Sequence, residues 1–412
     1  MLFKRTTEEI GRNAGWSSAL LGSTTASSGQ LVTTNSALSI PVLQNCVSLL
    51  AESVAQLPLE LYRRTADGGR EAATEHNLYP VLKHTPNGWQ TPFEYREISQ
   101  MAAGLRGNSY SYIERDKRGN VVALYPLDPT KITVLKGPDL QPFYRFEGAD
   151  PMPQRMIHHV RWLSLDGYLG ISPIINHANS IGYALALSEF SAKSFLHGSA
   201  LSGVLERPAG APALKDESVL QNIANKWTEK FGGSGNAGKV AVLQEGMTFK
   251  PLTTSNVDSE LINALRLSDS DIARIYKMPL PMVGSMEGAT YNNVENLQIA
   301  FVVYALMPWL KRHEQAMQRD LLNPSERNDY YIEFNISGLL RGNQSARYAA
   351  YAVGRQWGWL SINDIRRFEN MPPVDGGGAY LQPLNMVDAS DPNVTKPKPD
   401  AQAVDQIAKA LQ

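Results

Sequence analysis

The chain has 412 residues, 43% of them hydrophobic and 19% charged, with a formal net charge of −1. That length suits two or three structural units with a real core, and the composition excludes a disordered polyelectrolyte, a collagen-like chain and a small disulfide scaffold. Cys46 is the one cysteine, so no intramolecular disulfide or thiolate metal cluster is expected, and a reducing compartment suits it. Near-neutral charge argues against a surface that grips nucleic acid throughout.

No targeting signal is expected, because Glu8, Glu9 and Arg12 interrupt the N-terminus before any apolar stretch develops. Residues 17–39 hold eleven Ser or Thr and almost no apolar pattern, which predicts a flexible arm with order beginning at Ile40. Ile40, Leu43, Val47, Leu50, Val54 and Leu57 recur at steps of three and four, one face of a helix with Pro41 in its first turn. A strand at 59–62 follows. Thr91-Pro92-Phe93-Glu94 is a capping box that opens a helix running to about Arg106. The pattern then turns to strands at 110–113, 121–125, 131–135 and 157–163. Residues 40–170 read as one mixed α/β unit.

After Gly170-Ile171-Ser172-Pro173 a long helical stretch runs to about His197. Strands at 203–205, 239–243 and 248–252 enclose an amphipathic helix over 216–231. A helix over 259–277 ends at Pro279, and a glycine-bearing loop leads to a third helix, 294–322. That helix is apolar nearly all round in its middle, which predicts burial, and Pro308 predicts a kink. Its apolar run, Ile299 to Leu310, is too short to cross a bilayer. A strand at 331–334, helices from Ser345 and Ile362, and a loose tail after Pro372-Pro373 complete the chain.

Candidate chemistry is sparse. Gly233-Ser234-Gly235-Asn236-Ala237-Gly238-Lys239 has phosphate-loop spacing, but Val240 stands where a magnesium-holding hydroxyl is needed. A helix also precedes the motif and a strand follows it, the reverse of the order that points helix amides at phosphate. It reads as a plain helix-to-strand turn. His158 and His159 are adjacent on a strand and point to opposite faces, so they do not share a metal; both read as structural or solvated. Asp269 and Asp271 read as a solvated helix face or as first-turn carboxylates. Trp309 reads as core, and Trp357-Gly358-Trp359 as a packing corner rather than a base-stacking platform. No nucleophile-and-base set assembles, so neither an enzyme nor a cofactor is expected.

Several local signatures, in order, do carry a resemblance. They are Gly107-Asn108-Ser109-Tyr110, Leu124-Tyr125-Pro126-Leu127-Asp128-Pro129, Gly170-Ile171-Ser172-Pro173, Gly238-Lys239-Val240-Ala241-Val242-Leu243, Met278-Pro279 with Val283-Gly284, Leu306-Met307-Pro308-Trp309-Leu310, and Leu339-Leu340-Arg341-Gly342. Over roughly 35–375 the chain resembles the portal (head-to-tail connector) proteins of tailed double-stranded DNA phages, of the family typical of long-tailed temperate phages. It departs from the family in carrying Asn343 where Asp is common.

The resemblance implies an α+β portal fold. Its parts would be an N-terminal arm (1–39), a mixed α/β wing (40–171), a first stem helix (172–199), a small α/β clip (200–253) and a second stem helix (254–277). A tunnel loop (278–293), a long kinked helix and wing strand (294–338), a helical crown (339–371) and a tail (372–412) would follow. It implies a ring of twelve subunits at the unique vertex of the virion head, made in the bacterial host cytoplasm. Double-stranded DNA would pass through it, independent of sequence, during packaging and ejection. The large terminase, the head-to-tail connector or adaptor protein and the major capsid protein would be its partners, with no membrane.

The channel would be lined by Ser285, Met286, Glu287, Gly288, Ala289, Thr290, Tyr291, Asn292 and Asn293. Terminase and connector docking would fall to Lys215, Lys226, Glu229, Lys230, Lys239 and Glu245. A mixed-charge conduit makes physical sense, because a strongly basic wall would hold phosphates too tightly to release them. The alternative is a head scaffold or adaptor without a channel.

Overall fold

The computed structural model describes residues 8–9, 23–66, 69–137, 139–197, 203–206, 208, 217–231, 243, 247–251, 257–284, 294–336, 344–369 and 371–380. In chain order, the first half comprises β1 (Glu8–Glu9), β2 (Ser23–Thr25), β3 (Leu31–Thr33), α1 (Thr34–Leu38), α2 (Pro41–Gln56), β4 (Leu59–Arg64), β5 (Arg70–Ala72), α3 (Leu78–Lys83), α4 (Pro92–Arg106), β6 (Asn108–Arg115), β7 (Val121–Leu127), β8 (Ile132–Lys136), β9 (Pro142–Phe146), β10 (Met152–Pro153) and β11 (Ile157–Arg161). There follow α5 (Pro173–Asn176), α6 (Ala178–His197), β12 (Gly203–Glu206), α7 (Glu217–Phe231), β13 (Thr248–Pro251), α8 (Val257–Ile275), α9 (Val294–Ala300), a π-helical turn (Phe301–Leu306), α10 (Met307–Leu321), β14 (Tyr330–Phe334), α11 (Gln344–Gln356) and α12 (Ile362–Phe368). The fold is mixed helix and sheet, as the resemblance implies.

The chain divides into two compact units at residue 336. In the first, three antiparallel sheets have strand orders β1-β8-β9-β10, β11-β6-β7 and β14-β4-β5. Tyr110, Ile132, Val134, Tyr144 and Ile157 form a buried apolar cluster, joining the sheet of β6 and β11 to that of β8 and β9. The periodic face of α2 buries Leu43, Cys46, Val47, Leu50 and Val54, and α2 packs along α4. Helix α4 begins as its sequence requires: Thr91 accepts from the Glu94 N–H, and Glu94 accepts from the Thr91 N–H. Its Gly107 cap is left-handed, with φ of 76°, a conformation open to glycine without a Cβ penalty.

Order begins earlier than the serine-rich composition predicts. β2 and β3 form a hairpin, and Thr33 and Ser36 form a capping box on α1. Val32 and Ala37 are fully buried, and a Cβ at Gly182 of α6 would lie 2.2 Å from Ala26 Cβ. Small residues lock this hairpin against a long helix, and the hydroxyls supply caps instead of keeping the chain loose. The expected strand at 239–243 lies outside the described residues apart from Leu243.

The third long helix is not continuous. The π-helical turn Phe301–Leu306 directly precedes Pro308, whose missing N–H and bulky ring favour a widened turn over a straight α ladder. Nor is it buried all round: Phe301, Val302, Ala305 and Leu306 are buried, whereas Ile299, Val303 and Tyr304 face solvent, Tyr304 at 65% exposure.

In the second unit, Ser361 and Asp364 cap α12, and the rings of Tyr351 and Phe368 stack at 6.1 Å. Trp357 and Trp359 are not a packing corner; both are exposed, and Gly358 between them is left-handed, with φ of 77°. Order continues past Pro373, with Tyr380 donating to Asp364 Oδ2 at 3.1 Å. Residues 381–412 lie outside the described residues.

Candidate functional site

Residues Ser285 to Asn293 lie outside the described residues; what the structure shows is how both flanks are held. On the entering side, α8 ends at Ile275, and Tyr276, fully buried, donates to the Gly104 carbonyl at 3.2 Å. Its ring stacks on Trp162 at 6.0 Å, and Trp162 meets Trp309 of α10 at 5.7 Å. Pro279 precedes a 3-10 turn, Leu280–Val283, which closes on Gly284 with φ of 110°. On the leaving side, Phe301 and Val302 of the π-helical turn are buried. The aromatic trio therefore ties the segment before the loop to the helix after it.

The second candidate region is the excursion between α6 and α8, two helices that pack on each other. β12 and β13 pair antiparallel, Gly203 opposite Pro251 and Glu206 opposite Thr248. Trp227 of α7 stacks on Phe249 of β13 at 5.6 Å, which seats the helix on the ribbon. Lys226, Glu229 and Lys230 are exposed on α7. Lys215, Lys239 and Glu245, and the glycine-rich motif 233–239, lie outside the described residues.

The expected structural role of the histidines gains detail, for both are buried. Ionised Asp320 accepts from His158 Nδ1 at 3.0 Å, from the His159 N–H at 3.1 Å and from the Arg319 guanidinium at 2.7 and 2.8 Å. Burial pushes this carboxyl up, but the Arg319 and His158 hydrogen bonds and charges outweigh it and hold it at about 2. Asn108 Oδ1 accepts from the Gly170 N–H at 2.7 Å, which fixes the amide orientation. His159 Nε2 then donates to Asn108 Oδ1 at 3.0 Å, and its Nδ1 accepts from Tyr144 Oη at 3.1 Å. Burial, helped by the charges of Arg161 and Arg319, holds the His159 imidazole well below its usual value, hence neutral.

This network joins β6, β11 and α10 and offers no reacting group to solvent. The sequence singled out the two histidines but not Asp320, whose partner in β11 is remote along the chain. Asp269 is half-buried, and burial raises its carboxyl, while Asp271 pairs with Arg274 at 2.7 Å on the helix surface. Among the described residues, no group of three or more His, Cys, Asp or Glu side chains could hold a metal ion, and no helix is long and apolar enough to cross a membrane.

Comparison with known proteins gives one answer along most of the chain. A family profile described as phage portal protein matches residues 41–370. The portal protein of Enterobacteria phage HK97 is 28% identical over 367 residues, covering 87% of this chain and 85% of that one. The probable portal protein of Streptomyces phage phiC31 is 29% identical over 379 residues, covering 88% and 81%. Among solved structures, the neck of a native gene transfer agent particle with C12 symmetry is similar at a TM-score of 0.55 and 21% identity, covering 81% of this chain and 91% of that one.

Proposed function

This chain belongs to the phage portal protein family, and we propose from that premise that its copies close into a ring at the unique vertex of a phage head. The central channel passes double-stranded DNA inward during packaging and outward during ejection. The observation that carries the reading is the span of the family match, residues 41–370, which runs through every element from α2 to α12. A single chain without internal repeats makes a closed channel only by cyclic association through two different faces of the subunit. The outward residues Ile299, Val303 and Tyr304 give each copy an apolar face that a neighbour would bury. Twelve subunits is the number we assign, by analogy with the C12 neck particle.

Within that ring we assign the sheets around β6, β11 and β4 to the wing, α5 with α6 and α8 to the stem, and β12, α7 and β13 to the clip. The clip, with Lys226, Glu229 and Lys230, would dock the large terminase and then the connector or adaptor protein, and the wing would meet the major capsid protein. Residues 285–293 would line the narrowest part of the channel. A chain with net charge −1 suits a conduit from which DNA must be released. The role is structural rather than enzymatic. Mass photometry and negative-stain microscopy of the concentrated protein test the reading: closed rings with a central hole are expected. Monomers and dimers alone, at every concentration, would overturn it.

A further inference from the structure

The kinked helix has two apolar faces, and its own subunit covers one of them. From Asn296 to Leu310 the sequence has no charged residue. Burial there comes in pairs four residues apart. Phe301 with Val302, Ala305 with Leu306 and Trp309 with Leu310 are buried, whereas Val303 and Tyr304 between them are exposed. Ile299, one turn earlier, is exposed as well, and Met307 and Pro308, one turn later, are half-buried. These residues form a second stripe, back to back with the buried one.

A regular α-helix would not keep both stripes straight. At about 3.6 residues per turn, a pattern that repeats every four residues drifts by about 40° at each repeat. The π-helical turn Phe301–Leu306 takes up the surplus, since the Met307 N–H donates to the Val302 carbonyl, five residues back instead of four. Pro308 has no N–H to give and so removes the next bond of the α ladder. The wide turn holds the inner pairs on the core, where it packs on α2. By the same shift it holds Ile299, Val303 and Tyr304 on the opposite side. Charges appear in the sequence only beyond the stripe, at Glu295 and Lys311. An uncharged centre with an aromatic residue and a methionine, bounded by charge, is the make-up of an interface core and its rim.

We propose that this outer stripe is a contact with the neighbouring copy of the chain, that Tyr304 is its central anchor, and that the π-helical turn is the device that aims it. The proposal rests on the ring reading above and adds what orients the surface and which residue anchors it. A second copy is the occupant because a ring is closed by one contact repeated at every subunit, between two unlike faces. A helix that is apolar all round is one that is covered all round. The contact lies on the helix that follows residues 285–293, so that helix is gripped on one side by its own core and on the other by the next subunit.

The test uses the full chain. Val303 and Tyr304 are exposed in the subunit, so the double variant Val303→Ser, Tyr304→Ser is expected to keep the thermal midpoint of the monomer. The concentration at which rings form, read by mass photometry, is expected to rise about tenfold or more. Ring formation at the wild-type concentration would overturn the proposal, whereas a wild-type chain that forms no rings would defeat the ring reading itself. Tyr304→Cys gives an independent readout, because the native Cys46 is fully buried. The introduced thiol is expected to react fast with a maleimide in monomers and to be protected in rings. Protection already in the monomer would mean that the chain covers its own stripe, and equal labelling in rings would mean that nothing covers it; either overturns the proposal. Efficient disulfide-linked dimers of that variant would overturn it too, because in a ring of unlike faces residue 304 does not meet itself.

Discussion

Gly107 and Gly170 meet backbone to backbone. A Cβ on Gly170 would lie 1.9 Å from the Gly107 carbonyl oxygen, and one on Gly107 would lie 2.2 Å from the Ile171 carbonyl oxygen. Trp162 N–H donates to that same Gly107 oxygen at 2.8 Å. Asn108 clamps the joint from the side, its amide donating to the Gly170 carbonyl at 2.8 Å and accepting from the Gly170 N–H at 2.7 Å. Ser172 then caps α5 and donates to the Leu105 carbonyl at 3.1 Å. Two short signatures far apart in sequence are therefore one device, which fixes where the chain leaves the sheet for its long helices.

Gly170→Ala is accordingly expected to be severely destabilising, by more than the usual 0.5–3 kcal/mol of a point substitution, about 4 kcal/mol or more. Backbone, not a flexible side chain, occupies the space. Gly119→Ala is the control: nothing lies within 4 Å of its Cβ position, and its φ of 87°, a left-handed conformation that Gly170 does not share, adds only backbone strain of about 1–2 kcal/mol. Urea unfolding midpoints of the two variants check this. Equal losses would show that the close approach is not rigid.

Much of the fold was legible because local chemistry agreed with the final packing. The Thr91–Glu94 box, Pro41 in the first turn of α2 and the period of α2 each name an element without tertiary help. The β2–β3 hairpin was not legible, because its order depends on Ala26 fitting against Gly182 on α6, a contact no local pattern announces. Asp320 was hidden for the same reason: a carboxylate in a polar-looking helix gives no sign that two histidines from another strand enclose it. Ile299, Val303 and Tyr304 misled in the opposite direction, since apolar residues mark a buried face without saying whether one chain or its neighbour covers it. The loop and clip residues came from family resemblance, not from any physical signal in their sequence.

Stability should fall as pH drops below neutrality. Unfolded imidazoles take up protons near 6.5, whereas burial holds His313 at about 3 and His159 well below its usual value in the folded chain. The unfolded state thus binds more protons, and each such group removes about 1.4 kcal/mol per pH unit below 6.5. For Asp320 the folded value of about 2 lies below the unfolded 3.8. Its contribution is present above 3.8 and is lost as pH falls toward 2. Denaturant midpoints at pH 7.5, 5.5 and 4.5 should decline steadily; a flat curve between 7 and 5 would contradict the buried neutral imidazoles.

Cys46 should be inert in the native protein. It is fully buried, and burial pushes its thiol up to about 12, so almost no thiolate exists at pH 8. An aromatic disulfide reagent should label it within seconds in denaturant but only over hours in buffer. Fast labelling of the folded chain would mean that α2 opens easily.

The last expectation concerns residues 285–293. Their flanks are anchored independently of them, by Tyr276 on Gly104 and by the Trp162–Trp309 contact, so deleting Gly288 to Thr290 should leave folding and ring assembly intact. If the loop lines the constriction, that deletion should impair DNA packaging or retention all the same. Glu287 is the one charge in the stretch, and repeated around a ring it would form an acidic collar that keeps phosphate from adhering. Glu287→Lys would reverse the collar and slow translocation most at low ionic strength, because added salt shortens the reach of the new attraction to about 10 Å at 0.1 M and weakens phosphate binding. An in vitro packaging assay run at several salt concentrations, on rings verified by microscopy, measures both effects. Normal packaging by both variants would place the constriction elsewhere in the chain.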